Sequence, residues 1–434
     1  MVHDEASVGL DGVRVVFDDE RAVADAGIVL VATLAERLGV QALIEQCVDL
    51  GDRPGAANPG AKVMTLVSAM VLGADCIDDC DVLRCGRTAA VLGHQVLAPS
   101  TLGTFLRAFT FGHVRQLDRV LGLSLQRAWK AGGGPGAERL VVDVDSFVGE
   151  VHGRKKQGAA FGYTRVRGYH PILATRADTG EVLHIRLRKG SANTSRGMLR
   201  FTDELIARVD RAGSSGPKLL RADSGFWAKK TFARLDRAGW TFSIGVRMQP
   251  HVRAAVAQID ETAWQTLKDY PPTSIAQIAE TTLGDRRLIV RRVRTLNAQG
   301  ELLPSWEHYP FATNRADPLA IVEAEHRQHA VVELAIRDLK DQALAHFPSG
   351  QFTANAAWTV IAALAHNLLR QTSVLGLPGR TIRAARTLRR RLLTMPGRLT
   401  RSARRWTLHL PARWPWQQDF TAALARLRAL PPAT

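Results

Sequence analysis

The 434-residue sequence predicts an α/β fold: a mixed sheet flanked by helices, preceded by a helical region and interrupted by a β-rich insertion. Three observations predict it. Apolar runs with strand-like alternation occupy residues 139–148, 170–176 and 182–188, and another runs from Trp240 to Val246. Helical periodicity fills the intervals near 198–211 and 229–238. A Gly-rich linker, Ala131-Gly132-Gly133-Gly134-Pro135-Gly136, separates these from a first part with helical spacing.

That first part, residues 1–135, carries apolar residues at helical steps from Ala32 to Leu38 and from Val63 to Leu72. The stretch Ala98 to Arg107 starts a helix, with Pro99 and Ser100 as stop and cap. It reads equally as the second helix of a DNA-reading helix-turn-helix and as a packing helix. The region as a whole is expected to bind DNA or to dimerise. Residues 247–311 form the β-rich insertion, with strands from Ala279 to Leu283 and Arg287 to Thr295 around a Gly284-Asp285 turn. A long helix then starts at Asp317-Pro318, which supply a cap and a first-turn proline. A second apolar helix spans Asn355 to Leu369. The core domain is therefore 139–246 joined to 312–375, and residues 376–434 form a basic C-terminal region. In that region Arg380, Arg383, Arg386, Arg389, Arg390, Arg391, Arg398, Arg401, Arg404 and Arg405 interleave with Ile382, Leu388, Leu392, Leu399 and Trp406. Such interleaving predicts an ordered basic surface.

A hydrophobic content of 46% excludes global disorder. The formal charge of +17 and a pI of about 10.5 point to an acidic partner, nucleic acid first. They give no reason for a neutral sugar substrate, which disfavours a carboxylate-pair glycosidase. The N-terminus, Met1-Val2-His3-Asp4-Glu5-Ala6-Ser7, has no positive segment followed by an apolar one. The apolar stretch Val63 to Ala74 is too short to span a bilayer. The expectation is a cytoplasmic protein with no membrane contact, associated with the nucleoid when bound to DNA. Cys47, Cys76, Cys80 and Cys85 lack CxxC spacing and read as reduced thiols rather than a zinc site.

Three acids carry the chemistry. Asp145 ends the run Leu140-Val141-Val142-Asp143-Val144-Asp145. Alternation places Asp143 and Asp145 on one side of the strand, so either suits a metal. Asp145, nearer the C-terminal end, is preferred, with Asp143 in support. Asp223 follows a second apolar run, in Arg221-Ala222-Asp223-Ser224-Gly225-Phe226. Glu333 sits on a helix face with His326, His329, Arg337 and Lys340, opposite the stripe Val332, Ala335, Ile336 and Leu339. Carboxylates at two strand ends and on one helix suit hard divalent cations and phosphate chemistry. Lys155, Lys156, Arg165 and Arg167 follow the first acid and offer phosphate contacts. Trp227 reads either as core or as a platform for a displaced base.

At these residues the chain resembles the DDE transposases of bacterial insertion sequences. The third-acid signature of that group runs Tyr-x-x-Arg-x-x-x-Glu-x-x-x-x-x-x-Lys. Glu333 and Lys340 match its last two positions, whereas His326 and His329 stand at the Tyr and Arg positions. Further resemblance lies in Asp145-Ser146-Phe147 with Val151-His152-Gly153, in Gly162-Tyr163 and Gly168-Tyr169-His170-Pro171, in the Asp223 block, and in Phe352 to Trp358 with Ala365-His366-Asn367. The resemblance covers most of the chain, from about residue 30 to the C-terminus. It implies an RNase-H-like mixed sheet flanked by helices, with a β-rich insertion and an α-helical N-terminal domain. It implies Asp145, Asp223 and Glu333 as catalytic and metal-binding residues. The cofactor implied is a pair of Mg²⁺ ions about 4 Å apart, for which Mn²⁺ can substitute. The reaction implied is in-line phosphoryl transfer on double-stranded DNA, first by water and then by a freed 3′-hydroxyl. Partners implied are transposon ends and target DNA, with a dimer in the DNA complex. DNA contacts are expected from Lys155, Lys156, Arg165, Arg167, His326, His329, Arg337, Lys340, Arg390 and Arg404. A non-catalytic DNA-binding derivative and a structure-selective nuclease of the same fold remain as alternatives.

Overall fold

The computed structural model describes residues 10–162, 164–297, 299–303, 305–379 and 384–433. Residues 1–9, Tyr163, Arg380, Ile382 and Arg383, discussed above, lie outside them. Helices α1 (Val29–Arg37), α2 (Val40–Cys47), α3 (Pro59–Leu72), α4 (Pro99–Arg107) and α5 (Phe111–Ala128) make the N-terminal region. Helix α4 is capped by Ala98, with Pro99 in the first turn, rather than by Ser100. The fixed φ of proline suits that position and its missing N–H costs nothing there. After α5 a π-type turn, Trp129–Gly133, is closed by Gly132 at φ 102, so much of the expected linker finishes a helix.

The central sheet is built from β1 (Leu140–Ser146), β2 (Ile172–Arg176), β3 (Val182–Arg186), β4 (Lys218–Ala222), β5 (Thr241–Gly245), β6 (Ser274–Leu283), β7 (Arg286–Thr295) and β8 (Glu307–Thr313). A short edge strand, Gln265–Thr266, completes nine in the order edge-β6-β7-β8-β5-β4-β1-β2-β3. Strands β1, β4 and β5 run parallel, while β2 is antiparallel to both neighbours. This is the mixed sheet of an RNase-H-like core. The insertion is no separate β unit, because β8 pairs with β5 and carries the sheet onward. It also contains a helix, α8 (Pro250–Ala257), which packs against β6.

Helices cover both faces of the sheet. On one, Val142 and Val144 of β1 pack with Phe201 and Leu205 of α6 (Met198–Ala212) and Phe232 and Leu235 of α7 (Lys229–Arg237). On the other, Leu173 and Ile185 share a core with α10 (Val332–Lys340) and α11 (Phe352–Gly376). Helix α11 is apolar around most of its circumference because it is buried on most sides. Its Asn367 accepts from the Val182 N–H and donates to the Val182 carbonyl, both at close to 2.8 Å, which satisfies the backbone of edge strand β3.

The expected long helix is two. Helix α9 (Leu319–Arg327), capped by Pro318, gives way to a 3-10 turn, Gln328–Val331, before α10 begins. Asp317 does not cap it but pairs with Arg315 at 2.8 Å. The break coincides with the Glu325 carbonyl, which would accept from the next turn but instead takes a hydrogen bond from Arg221 at 2.5 Å.

The described residues of the C-terminal region form regular elements. They include α12 (Ala385–Leu388), the strands Gly397–Ser402 and Arg405–His409, and α13 (Gln417–Ala429), which packs against α1 and α11. The strand Ala22–Val23 pairs with Gly397–Ser402, so a segment of the N-terminal region joins the C-terminal one. Among the described residues no single helix is long and apolar enough to cross a membrane.

A buried polar cluster ties the N-terminal helices to the sheet. His184 of β3, fully buried, faces Glu204 of α6 at 2.9 Å and Asp118 of α5 at 3.3 Å. Burial favours a protonated Glu204, but hydrogen bonds from His184 and Arg115 and the charge of Arg186 outweigh it and hold the carboxyl at about 2. A carboxyl depressed in the folded state stabilises fully above its ordinary 4.5, and that contribution vanishes as pH falls through about 2. We expect Glu204→Gln to lower unfolding free energy by about 1.5–3 kcal/mol at pH 7. The deficit should shrink toward zero in urea melts repeated between pH 4.5 and 2. A deficit independent of pH would contradict this assignment.

Candidate active site

The parallel register of β1 and β4 pairs Asp143 with Arg221 and Val144 with Ala222, which sets Asp145 and Asp223 side by side at the strand ends. Asp145 is half-buried; Asp223, one residue past β4, and Glu333, in the first turn of α10, are exposed. Burial pushes the Asp145 carboxyl up to about 6, the Ser146 N–H and His329 oppose this, and the carboxylates of Asp223 and Glu333 add to it. Asp145 therefore feels the acid at the end of β4 and the acid on α10.

Asp223 accepts from the Gly225 N–H at 2.8 Å, closing a tight turn after β4. A Cβ on Gly225 would stand 2.6 Å from the Thr194 side chain and 3.0 Å from Asp223 Oδ1. Gly225→Ala is expected to displace the Asp223 carboxylate and lower DNA cleavage by roughly 10²-fold, the scale of a misplacement near 1 Å. Circular dichroism should show the fold retained; full cleavage would contradict the close fit.

Sequence reasoning did not single out Arg221. Its guanidinium grips Asp143 at 2.7 and 2.8 Å, and both side chains are almost wholly buried. The same Asp143 oxygen meets His329 Nδ1 at 2.9 Å. With the bond to the Glu325 carbonyl, this bridge joins β1, β4 and the turn that leads into Glu333. The detectable signal was an Asp and an Arg in two apolar runs that the sheet register makes neighbours. Asp143 is thereby occupied, whereas among the described residues Asp145 accepts a hydrogen bond only from the Ser146 N–H.

The two histidines at the departures from the signature turn inward. His326 stacks on Phe311 with centroids 4.0 Å apart and bonds Ser243 through Nδ1 at 2.6 Å. Burial first, then the charges of His329, Arg291 and Arg221, pull it down to about 3, so it stays neutral. Its ring is spent on packing, not presented to DNA, and His329 is directed at Asp143. Arg337 and Lys340 are exposed on α10, and Lys340 Nζ lies 5.2 Å from the Phe147 ring just past β1. Lys155 and Arg165 are exposed too, Arg165 at a left-handed φ of 58. Lys156 instead donates to the Phe347 carbonyl, and Arg167 to the carbonyls of Gly153 and Arg154. Arg390 and Arg404 are exposed in the C-terminal region. Trp227 packs edge-on against Phe232 and lines a polar cavity of about 190 Å³ with Ser224, Gly225, Asn193 and Gln249.

The acid set fits hard cations. It is all oxygen, and the Asp145 carboxyl is raised chiefly by burial, with Asp223 and Glu333 adding to it. Asp145 and Asp223 each use one oxygen on a backbone N–H, which leaves the other for a ligand. Among the described residues the one group whose ligand atoms all fall within 4.8 Å is Asp75, Cys76 and Asp79, so the three carboxylates do not converge on a single point. A pair of ions does not require that, since ligands then spread around two centres. At the cysteines, burial and the Asp79 charge push the Cys80 thiol up to about 12, which keeps it protonated.

No curated protein matches the chain in sequence. Among solved structures, a cryo-EM structure of a piggyBac transposase synaptic complex with hairpin DNA is similar at 13% identity. The match covers 86% of this chain and 80% of that one, with a TM-score of 0.46. The chain belongs to the transposase DDE domain group 1 family, whose model matches residues 6–432.

Proposed function

We propose that the chain is the transposase of an insertion sequence, which binds the terminal inverted repeats of the element, cuts them and joins them to target DNA. The observation that supports this is that Asp145 and Asp223 end neighbouring parallel strands, with Glu333 of α10 near enough to act on the Asp145 carboxyl. Membership of the family implies phosphoryl transfer on DNA and, in general, divalent metal ions. Here the three acids would hold two ions, Mg²⁺ with Mn²⁺ as a substitute. Bound there, the ions supply Lewis-acid polarisation and neutralise charge on the scissile phosphate.

The residues of the chain do the rest. Asp143, Arg221 and His329 fix the spacing between the strand ends and α10. Lys340 and Arg337 flank Glu333 on its exposed face, and Lys155 and Arg165 stand on the loops after Asp145, where each can meet a backbone phosphate. A 3′-hydroxyl freed by the first cut then serves as nucleophile for the second without external energy. Joining two ends requires two protomers in the working complex, and the place of action is the cytosol beside chromosomal DNA.

The test is to incubate the protein with duplex DNA bearing candidate element ends, with Mg²⁺ or with EDTA, and to size the products. We expect metal-dependent nicks with 3′-hydroxyl ends, followed by joined products, and neither in EDTA. Cutting without joining would favour the structure-selective nuclease. Binding without any cutting would mark a non-catalytic derivative and contradict the proposal.

A further inference from the structure

The C-terminal hairpin carries none of the three acids and has no role in the chemistry above. Its strands, Gly397–Ser402 and Arg405–His409, pair from Arg398↔His409 to Ser402↔Arg405 around a two-residue turn, Ala403-Arg404. Leu399 and its cross-strand partner Leu408 hold the base of the ribbon against the core. Beyond them every residue from Arg401 to Thr407 is exposed. Ala403 takes a left-handed φ of 53, which a side chain rarely adopts and which closes the tip tightly.

The chemistry of the projecting half is one-sided. Arg401 and Arg405 sit on opposite faces, and Arg404 lies at the tip. Among the described residues none of these three has an ion-pair partner, whereas Arg398 at the base is paired with Asp19. Between Arg386 and Arg428 the sequence holds one acid, Asp419. Trp406, 47% exposed, is braced by Arg401 at 5.3 Å and Arg87 at 5.8 Å from its ring centroid. A charged ribbon of this kind does not seek an apolar partner.

Dimensions select among polyanions. Two antiparallel strands lie about 4.8 Å apart and rise ~3.4 Å per residue, so three free residues per strand reach roughly 10 Å. The major groove of B-DNA, about 12 Å wide and ~8.5 Å deep, admits a two-stranded ribbon, while the minor groove, about 6 Å wide, does not. We propose that the Arg401–Trp406 hairpin is a duplex-DNA anchor that enters the major groove, with Arg401, Arg404 and Arg405 on phosphates and base edges. The inference rests on the DNA-binding part of the proposed function and adds a contact distinct from the acid site.

The experiment uses the full chain carrying Asp145→Asn, so that binding is read without cleavage, and a labelled duplex titrated at several salt concentrations. The variant Arg401→Gln/Arg404→Gln/Arg405→Gln in that background should bind about 10- to 100-fold more weakly near 0.1 M salt. Its slope of log affinity against log salt should fall by about 2 to 3, near 0.9 per lost phosphate contact. The matching Arg→Lys triple variant should restore most of the slope, which a folding defect would not. Methylation of guanine N7, which blocks the major groove, should weaken the parent protein and leave the Gln variant unaffected. An unchanged slope in the Gln variant, or indifference of the parent protein to N7 methylation, would overturn the anchor while leaving the transposase reading intact. Failure of the parent protein to bind duplex DNA at all would instead count against the proposed function.

Discussion

Replacing Asp145 by asparagine is expected to abolish metal-dependent DNA cleavage and, at the same time, to stabilise the metal-free protein. The loss follows from removing the most buried of the three acids. Metal-ion catalysis is worth several kcal/mol, so roughly 10³-fold or more in rate should disappear. The gain follows from electrostatics. A carboxyl displaced from 3.8 to about 6 carries a penalty of at most roughly 3 kcal/mol when ionised. Because the folded-state value is raised, its contribution is favourable below 3.8 and is lost as pH rises through about 6. Thermal melts of the wild type without metal should therefore fall between pH 4 and 7 relative to Asp145→Asn. Divalent metal at pH 7.5 should raise the wild-type melting temperature and leave the variant unchanged. A wild type and a variant that melt alike at every pH would contradict the crowded, anionic site.

The second large effect is expected at Arg221. Arg221→Ala strands Asp143 as a buried charge short of its main partner, which costs about 3–5 kcal/mol. It also frees the Glu325 carbonyl and loosens the turn that orients α10. Loss of activity alone would not separate these effects. The double variant Asp143→Leu/Arg221→Met removes both charges and should recover most of the stability, as replacing a whole buried pair commonly does. It should still cleave at least 10²-fold more slowly at equal DNA occupancy, because His329 has lost the oxygen that holds it. Full activity in the stable double variant would reduce the bridge to packing alone.

The candidate acids are legible in the sequence because their signals are local. Asp145 and Asp223 end apolar runs of strand length, and Glu333 lies on an amphipathic helix, all features that spacing reveals. What escaped the sequence depends on non-local pairing. Nothing local says that Asp143 and Arg221 are register partners, so Arg221 has no role in the sequence beyond leading into Asp223. The helix break at Gln328 was invisible for the same reason, since a side chain 104 residues earlier takes the carbonyl of Glu325. His326 and His329 were read as surface groups because a helical wheel cannot show that the turn between α9 and α10 faces the sheet. The insertion read correctly as strands, yet only the β8–β5 pairing reveals that it extends the central sheet. The pairing of Ala22–Val23 with Gly397–Ser402 is likewise a contact no window of sequence contains.

The central claim is that three carboxylates act as one metal-dependent site on DNA, and Glu333 is an exposed member, carried on a helix rather than at a strand end. The most direct measurement compares wild type and Glu333→Ala on the same end-bearing duplex in Mg²⁺, at protein concentrations that give equal DNA occupancy. The account predicts equal binding, an unchanged melting temperature without metal within about 1 kcal/mol of stability as for an exposed substitution, and cleavage lost from the variant. Robust cleavage by Glu333→Ala at equal occupancy would contradict it.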